Sequence, residues 1–375
     1  MPAYRKRYVR KQKKTMRKRA PKKRYVKRQS MSRELITYMN PFSNAATNPK
    51  IPDGKIPLSA GQRLQFMQEW SIGSTGVSTI VLYPGYGAGA RLDGTLRLGG
   101  NTDDTGTNLM TYQSHGGYDA TSPGILQDAV DQSQPASQWR LVSQGLRISL
   151  TNNSDQNDGW WECVRVRPPN DANKWGLSPV PGKTGLAVAN TNLRITPRAN
   201  FFGDQTDNLV DDPTYMAGKL RDIHKRVFVL ASTEKDHEFN QIRSSYQLPV
   251  TDLSVGEFND QLQTGVSSTG YDFPGNDVAS QEFLQHQLDY QFDIIIIRIH
   301  GRPANAVVTA IQTPTRFITH LVSNQEAVFQ EGSAYQRFQT STRDQSDRVA
   351  KAQRMMNNRG PAQPAPTMIP SSRNY

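Results

Sequence analysis

The 375-residue sequence predicts an all-β fold, an antiparallel sandwich or barrel carrying one strongly basic end and one Pro-rich end. Three observations predict it. Short runs rich in β-branched and aromatic residues recur along the middle of the chain, clusters of Gly, Pro, Asn and Asp bound them, and long helical periodicity is nearly absent.

The first element in chain order is an arm, not a strand. Residues 1–33 hold 16 Lys and Arg and no Asp or Glu; a run so charged repels itself, buries nothing and seeks a polyanion. The candidate nucleic-acid-binding residues are Arg5, Lys6, Arg7, Tyr8, Arg10, Lys11, Lys13, Lys14, Arg17, Lys18, Arg19, Lys22, Lys23, Arg24, Tyr25, Lys27, Arg28 and Arg33. Two near-copies, RKRYVRKQ (Arg5 to Gln12) and KKRYVKRQ (Lys22 to Gln29), each lack an apolar face and read as repeated phosphate-binding segments. Tyr4, Tyr8 and Tyr25 supply rings on which unpaired bases stack. A nuclear import signal needs only about 5 to 8 basic residues, so import is a second use of the same side chains. The whole chain sums to +12, so residues 34–375 net −4; residues 341–375 hold six Lys and Arg against Asp344 and Asp347, a net of +4, which leaves −8 for 34–340. An acidic body lies between two basic ends.

The strand candidates follow in order: STIVLYPG (Ser78 to Gly85), QWRLVSQGLRISLTN (Gln138 to Asn152), WWECVRVRPP (Trp160 to Pro169), KRVFVLAS (Lys225 to Ser232), DIIIIRIHG (Asp293 to Gly301) and RFITHLVSNQEAVF (Arg316 to Phe329). In GLRISLTN, Leu146, Ile148 and Leu150 alternate with Arg147, Ser149 and Thr151, the period of a strand with one wet face. The runs either side of NNSDQNDG (Asn152 to Gly159) read as two antiparallel strands joined by a polar loop. Long loops rich in Gly, Pro, Asn and Asp, such as PGYGAGARLDG, LGGNTDDTGTN and residues 168–225, suit contacts or an exposed surface. Past Ser341, DRVAKAQRMM (Asp347 to Met356) carries the spacing of one amphipathic helix with net positive charge, and GPAQPAP (Gly360 to Pro366) with Pro370 favours an extended end. The expected organisation is a disordered basic arm over 1–40, a β body over 41–340 and a flexible Pro-rich tail over 341–375.

No enzyme signature survives inspection, so no catalytic residue, metal site or cofactor is expected. VPGKT (Val180 to Thr184) lacks the leading Gly of a phosphate loop, because position 177 is Leu. His237-Glu238 begins a zincin pattern, but position 241 is Gln. GYGAGA (Gly85 to Ala90) has no helix expected after it. The six histidines are scattered, and the single cysteine, Cys163, lies in an apolar run as buried filler and excludes an internal disulfide. Asp204, Asp207, Asp211 and Asp212 offer carboxylates to a hard cation, but their spacing fits no EF-hand. The longest aliphatic run is Ile294 to Ile297, against the roughly 20 residues a bilayer requires; no membrane partner and no secretory signal are expected.

A family resemblance joins these pieces. NPFSNAATNPKIPDGKIPLSAGQRLQF (Asn40 to Phe66), then IVLYPG, then WRLVSQGLRISLTN, resemble the capsid proteins of small circular single-stranded DNA viruses of eukaryotes that encode a rolling-circle replication initiator, of the bacilladnavirus-like group. The resemblance implies a single antiparallel jelly-roll sandwich of the viral capsid type, similar to nodavirus coats. In it, Arg140, Val142, Ser143, Gly145, Leu146, Arg147 and Ile148 mark a central strand, and FDIIIIRIHG and FITHLVSNQEAVF are the last two. It further implies an N-terminus facing the genome and a surface projection inserted within about 170–290. The expected function is a structural capsid protein that assembles from about 60 to 180 copies into an icosahedral shell. The arm would package genomic single-stranded DNA, bringing about 1,000 to 2,900 positive charges inside. The virion, and the host nucleus during assembly, are the expected locations; a host receptor is an expected partner of unknown identity. The alternative is a cellular nucleic-acid-binding protein whose β sandwich binds a partner, with an enzyme acting on nucleic acid a third reading. DNA rather than RNA rests on the resemblance alone, because phosphate neutralisation is indifferent to the sugar.

Overall fold

The computed structural model describes residues 31–56, 58–72, 76–85, 88–93, 108–111, 136–153, 157–170, 175–179, 193–197, 209–233, 237–241, 271–272, 288–302, 314–329 and 331–365. In chain order these form α1 (Arg33–Met39), β1 (Ala60–Ser71), β2 (Val77–Leu82), β3 (Ala88–Asp93), β4 (Asn108–Thr111), β5 (Ala136–Leu150), β6 (Trp160–Val166), β7 (Trp175–Pro179), β8 (Leu193–Pro197) and β9 (Met216–Lys219). A 3₁₀ turn (Leu220–Lys225) leads to β10 (Arg226–Val229), β11 (Asn240–Gln241), β12 (Tyr271–Asp272), β13 (Ile294–His300), β14 (Arg316–Phe329), a second 3₁₀ turn (Ala334–Phe338), α2 (Ser346–Asn357) and β15 (Ala362–Pro364).

Two six-stranded sheets face each other. The first runs β1-β14-β5-β10-β15, with β11 also on β5, and the second runs β4-β3-β2-β13-β6-β9. Number the eight principal strands β1, β2, β5, β6, β9, β10, β13 and β14 from one to eight. The antiparallel partners are then one with eight, two with seven, three with six and four with five. This is a long hairpin rolled on itself, the wrapping of a jelly roll, and strands three–eight and four–seven close the two sheets. The expected sandwich is therefore found, with β5 in the middle of its sheet.

The period of two explains the inner layer. Leu64 and Trp70 of β1, Ile80 and Leu82 of β2, Trp161 and Cys163 of β6, Ile295, Ile297 and Ile299 of β13, and Phe317 and Leu321 of β14 project between the sheets and are buried. Each large side chain so removed from water contributes about 1.5 to 3 kcal/mol. β5 obeys the period only after a correction. Its pairing with β14 shifts register between Asn324 and Gln325, where Ser143 and Leu141 are the partners and Val142 is skipped. This bulge keeps Trp139 and Leu141 inward, then restarts the inward series at Leu146 and Ile148. Val142 turns outward into a second apolar cluster.

That second cluster lies on the outer face of the first sheet. Leu35 and Tyr38 of α1 and Val349, Ala352 and Met356 of α2 pack with Ile51, Val142, Val227, Val229 and Ala231. Three sequence expectations are corrected here. The disordered arm is expected to run to residue 40, but Arg33–Met39 is a helix, because Ser32 caps it and Leu35 and Tyr38, three apart, find this face. The tail from 341 is expected to be flexible, but Ser346–Asn357 is a helix, as its spacing predicts, and Ala362–Pro364 adds a strand to β10. Its apolar stripe at 349, 352 and 356 has a surface to cover, which charge counting does not reveal. The expected hairpin about NNSDQNDG does not form, because β5 and β6 lie in opposite sheets. The wet face expected for GLRISLTN is in part covered, since Gly145 is buried and Arg147 half-buried.

Within 170–290, β9 and β10 belong to the main sheets, whereas β7, β8 and β12 form a separate three-stranded sheet. Trp175, at the start of β7, is buried, donates its indole N–H to the Pro169 carbonyl at 2.9 Å and meets Tyr83 edge-on.

Candidate nucleic-acid interface and its anchor

The sequence places the candidate interface in the arm, and of its named residues the structure describes only Arg33, exposed in the first turn of α1. Arg5, Lys6, Arg7, Tyr8, Arg10, Lys11, Lys13, Lys14, Arg17, Lys18, Arg19, Lys22, Lys23, Arg24, Tyr25, Lys27 and Arg28 lie outside the described residues. The structure does describe how the segment after the arm is fastened.

The fastening starts at α1. The Ser32 hydroxyl accepts the Leu35 N–H at 3.3 Å, and the Thr37 hydroxyl donates to the Arg33 carbonyl at 3.1 Å. Asn40 leaves the helix in extended backbone, as a residue before proline does, and its side chain accepts the Phe42 N–H at 3.1 Å. Pro41 and Phe42 then lie flat on β5 at Gly145. A Cβ there would meet Pro41 Cγ at 2.7 Å, Phe42 Cε2 at 2.9 Å and the Phe228 carbonyl at 3.0 Å, so only glycine permits the approach. The Arg147 guanidinium sits 4.1 Å above the Phe42 ring, and His320 meets that ring edge-on. Asn324 donates to the Pro41 carbonyl at 3.1 Å and to Ser143 Oγ at 3.0 Å, while Ser143 Oγ donates to the Thr37 carbonyl at 2.8 Å.

Arg140 is the centre of the anchor. Projecting outward from β5 and only 1% exposed, it donates Nε to Glu326 Oε2 at 2.9 Å, and its two terminal nitrogens to Asp53 at 2.6 and 3.1 Å. The same nitrogens reach the carbonyls of His237 at 2.9 Å and Ile51 at 3.2 Å, and the guanidinium lies 4.2 Å over the Phe239 ring. Burial alone would lower its pKa, but Glu326 and Asp53 outweigh burial and raise it. Glu326 also accepts the Ile51 N–H at 3.1 Å and the Ser59 hydroxyl. Beside it Lys50, its pKa lowered by burial against the pull of Glu326, donates to the carbonyls of Ser59 and Thr340 and to Thr340 Oγ1. The Gln345 N–H donates to the Pro52 carbonyl at 2.8 Å. Residues 50–53 are thus tied at once to β5, to β14 and to the chain entering α2.

The histidine singled out in sequence has a structural place. His237 Nε2 pairs with the Tyr38 hydroxyl at 2.9 Å; burial, helped by Arg140, pushes its pKa down to about 4, so it is neutral and holds α1. Cys163 is buried between the sheets, and burial pushes its thiol up to about 12, which removes the thiolate a nucleophile needs. Asp212 accepts the backbone and side chain of Thr214 and closes a turn, whereas Asp204 and Asp207 lie outside the described residues. GYGAGA runs into β3, a strand and not a helix, and VPGKT lies outside the described residues.

A second charged cluster sits on the outer face of the other sheet. Glu162 of β6 faces Arg298 at 3.6 Å and His300 Nε2 at 2.9 Å on β13, and the His300 ring stacks on Trp160 at 3.9 Å with 1° between planes. Trp160 is 42% exposed. Where β6 ends and β13 begins, Arg165 pairs with Asp293 at 2.7 Å, and burial still pushes the Asp293 carboxyl up to about 7.

From the sequence Arg140 is named only as the mark of a central strand, and Asp53 and Glu326 are not singled out. The available signal was Arg140 inside the otherwise apolar run WRLV and Glu326 directly before AVF; Asp53, in the loop sequence IPDGK, carries none.

With this geometry in place, comparison with known proteins gives three findings. The family described as Shotokuvirus capsid protein matches residues 29–363. The capsid protein of Chaetoceros diatodnavirus 1 is 31% identical over 338 residues, covering 86% of this chain and 80% of that one, and the capsid protein of Chaetoceros protobacilladnavirus 2 is 30% identical over 336 residues, covering 85% and 82%. Among solved structures, that of the T13 viral particle of infectious bursal disease virus aligns with a TM-score of 0.46 at 9% identity, over 87% of this chain and 91% of that one. At that distance the strand pairing above, and not the alignment, establishes the jelly roll.

Proposed function

From the premise that this chain belongs to the Shotokuvirus capsid protein family, we propose that it closes into an icosahedral shell of about 60 to 180 copies and packages single-stranded genomic DNA through Arg5 to Arg33. As a viral capsid protein it belongs to the virion, and its role is structural. The observation that carries the packaging reading is an anchor joined to a charge partition. A 16-cation segment without one acid runs directly into α1, and α1 with residues 41–53 is fastened to one face of the sandwich by Arg140, Asn324 and His237. A tether of this kind lets an arm pull on a polyanion without being drawn out of its fold. Each arm neutralises phosphate without reading bases, so binding is indifferent to sequence and strongly salt-dependent.

The same cations suffice for import into the host nucleus during assembly. The three-stranded sheet of β7, β8 and β12 is the proposed core of a surface projection that presents the receptor-binding side. Family membership sets aside the cellular binding module as an identity for this chain.

The test is to express the full chain and a deletion of residues 1–31, which spares the Ser32 cap, and to examine both by negative-stain microscopy and by absorbance at 260 relative to 280 nm. Closed particles from both, with nucleic acid only in those of the full chain, are expected. Particles that retain their nucleic acid without the arm would overturn the reading.

A further inference from the structure

We propose that the outward face of α2, centred on Lys351 and Arg354, is a second, folded contact for the nucleic-acid backbone, beside the root of the arm; this rests on the arm binding nucleic acid. Four observations support it. First, α2 is committed to one face: Val349, Ala352, Gln353 and Met356 are buried, while Asp347, Lys351, Arg354, Met355 and Arg359 are exposed. From Ser346 to Arg359 the chain holds four Lys and Arg against the single Asp347. Second, no ion pair among the described residues uses Lys351 or Arg354, in contrast to Arg140 and Arg165, whose charges are taken up inside the protein. Third, α2 packs against α1 and shares its apolar cluster, so these cations lie on the face of the sandwich where the segment after the arm is laid down. Fourth, residues 34–340 net −8, so the rest of the body repels a polyanion and leaves this basic helix as an attractive folded surface.

The two contacts differ in kind. The arm supplies many cations on a chain that must be ordered at a cost in entropy, whereas α2 presents a few at fixed positions on a helix already folded. The helix therefore sets where the first phosphates lie, and the arm neutralises the phosphates further along the strand.

Binding of full-length variants to a 30-nucleotide oligothymidylate, followed by fluorescence anisotropy across a salt series, tests this. The helix variant is Lys351→Gln/Arg354→Gln; a control of equal charge loss is Lys219→Gln/Arg221→Gln, two exposed cations beside the edge of the opposite sheet. A third full-length chain has the fifteen Lys and Arg before Met31 changed to Gln. The helix variant is expected to bind more weakly at low salt and to lower the slope of log K against log salt by about 1.4, two contacts at about 0.7 each, with the control unchanged. In the arm-neutralised chain the residual binding should vanish when Lys351 and Arg354 are also changed. Equal behaviour of helix variant and control would overturn this inference alone, while unchanged binding by the arm-neutralised chain would overturn the arm reading. Circular dichroism confirms that each chain is folded, and if the double variant is not, the single Lys351→Gln and Arg354→Gln chains carry the same test at about half the slope change; no change in either sinks the inference.

Discussion

The two sheets carry charged clusters of opposite construction. On the first, one cation, Arg140, is held between two carboxylates, Glu326 and Asp53, and sealed beneath residues 50–53. On the second, one carboxylate, Glu162, serves two partners, the Arg298 guanidinium and the His300 ring, and the cluster ends at the surface in the Trp160 ring. The first joins segments 87 and 186 residues from Arg140 in sequence; the second joins neighbouring strands already paired through their backbones. The difference teaches that a buried ion pair matters to architecture where no ladder of backbone bonds exists to do the same work. Segment 50–53 belongs to no strand, so side chains do most of the seating.

The largest effect that would break this comparison is expected from Arg140→Met. It leaves Glu326 and Asp53 buried without their cation and costs about 3 to 5 kcal/mol, read by urea unfolding of the full chain. A loss below about 1 kcal/mol would remove Arg140 from the centre of the anchor.

The next effect lies in pH, and the two sheets respond with opposite sign. His237 on the first has its pKa pushed from near 6.5 to about 4, so the unfolded chain holds more protons between these values and stability is lost as pH falls through that window, by about 3 kcal/mol in all. Asp293 on the second has its carboxyl pushed from near 3.8 up to about 7, so the folded chain holds more protons and stability is lost as pH rises from about 4 to about 7. Relative to the parent, His237→Gln should gain at pH 4.5 against pH 7, and Asp293→Asn should gain at pH 7 against pH 4.5. Thermal melts at the two pH values decide it; shifts of the same sign for both variants would refute the assignment.

Gly145→Val is expected to cost about 2 kcal/mol and to expose residues 31–59 to limited proteolysis, since its Cβ meets both Pro41 and Phe42. The smallest effect is expected at His300→Ala, about 1 kcal/mol, because one hydrogen bond and one half-exposed stack are lost while the β6–β13 ladder remains. A cost at His300 equal to that at Arg140 would erase the contrast between the sheets.

Where sequence reasoning succeeded, the physics was local. β14 runs from Arg316 to Phe329, the bounds read from its apolar run, and β5 and β13 differ from expectation by two residues or fewer at each end. It failed where stability comes from a distance. β9, MAGK, and β15, AQP, carry no alternation and exist because a neighbouring strand offers backbone partners. The bulge at Val142 inverts the period midway along β5, so a single alternating template misassigns half of it. The strands beside NNSDQNDG read as a hairpin because strands consecutive in sequence commonly pair, and a jelly roll departs from this by sending these two to opposite sheets. Of the candidate site, the arm stands as an expectation from composition, with only Arg33 of its named residues described, and the anchor beside it is not legible: Arg140, Asp53 and Glu326 are meaningless apart, and only the fold brings them within 3.1 Å.

The position of β14 bears on timing as well as shape. It lies between β1 and β5, and β1 has no other partner strand among the described residues. A chain emerging from the ribosome therefore holds Ala60–Ser71 unpaired until residues 316–329 are made, some 250 residues later, and the roof over the outer face waits longer still for α2. A chain terminated before Arg316 has no strand to pair with Ala60–Ser71 and cannot complete the first sheet.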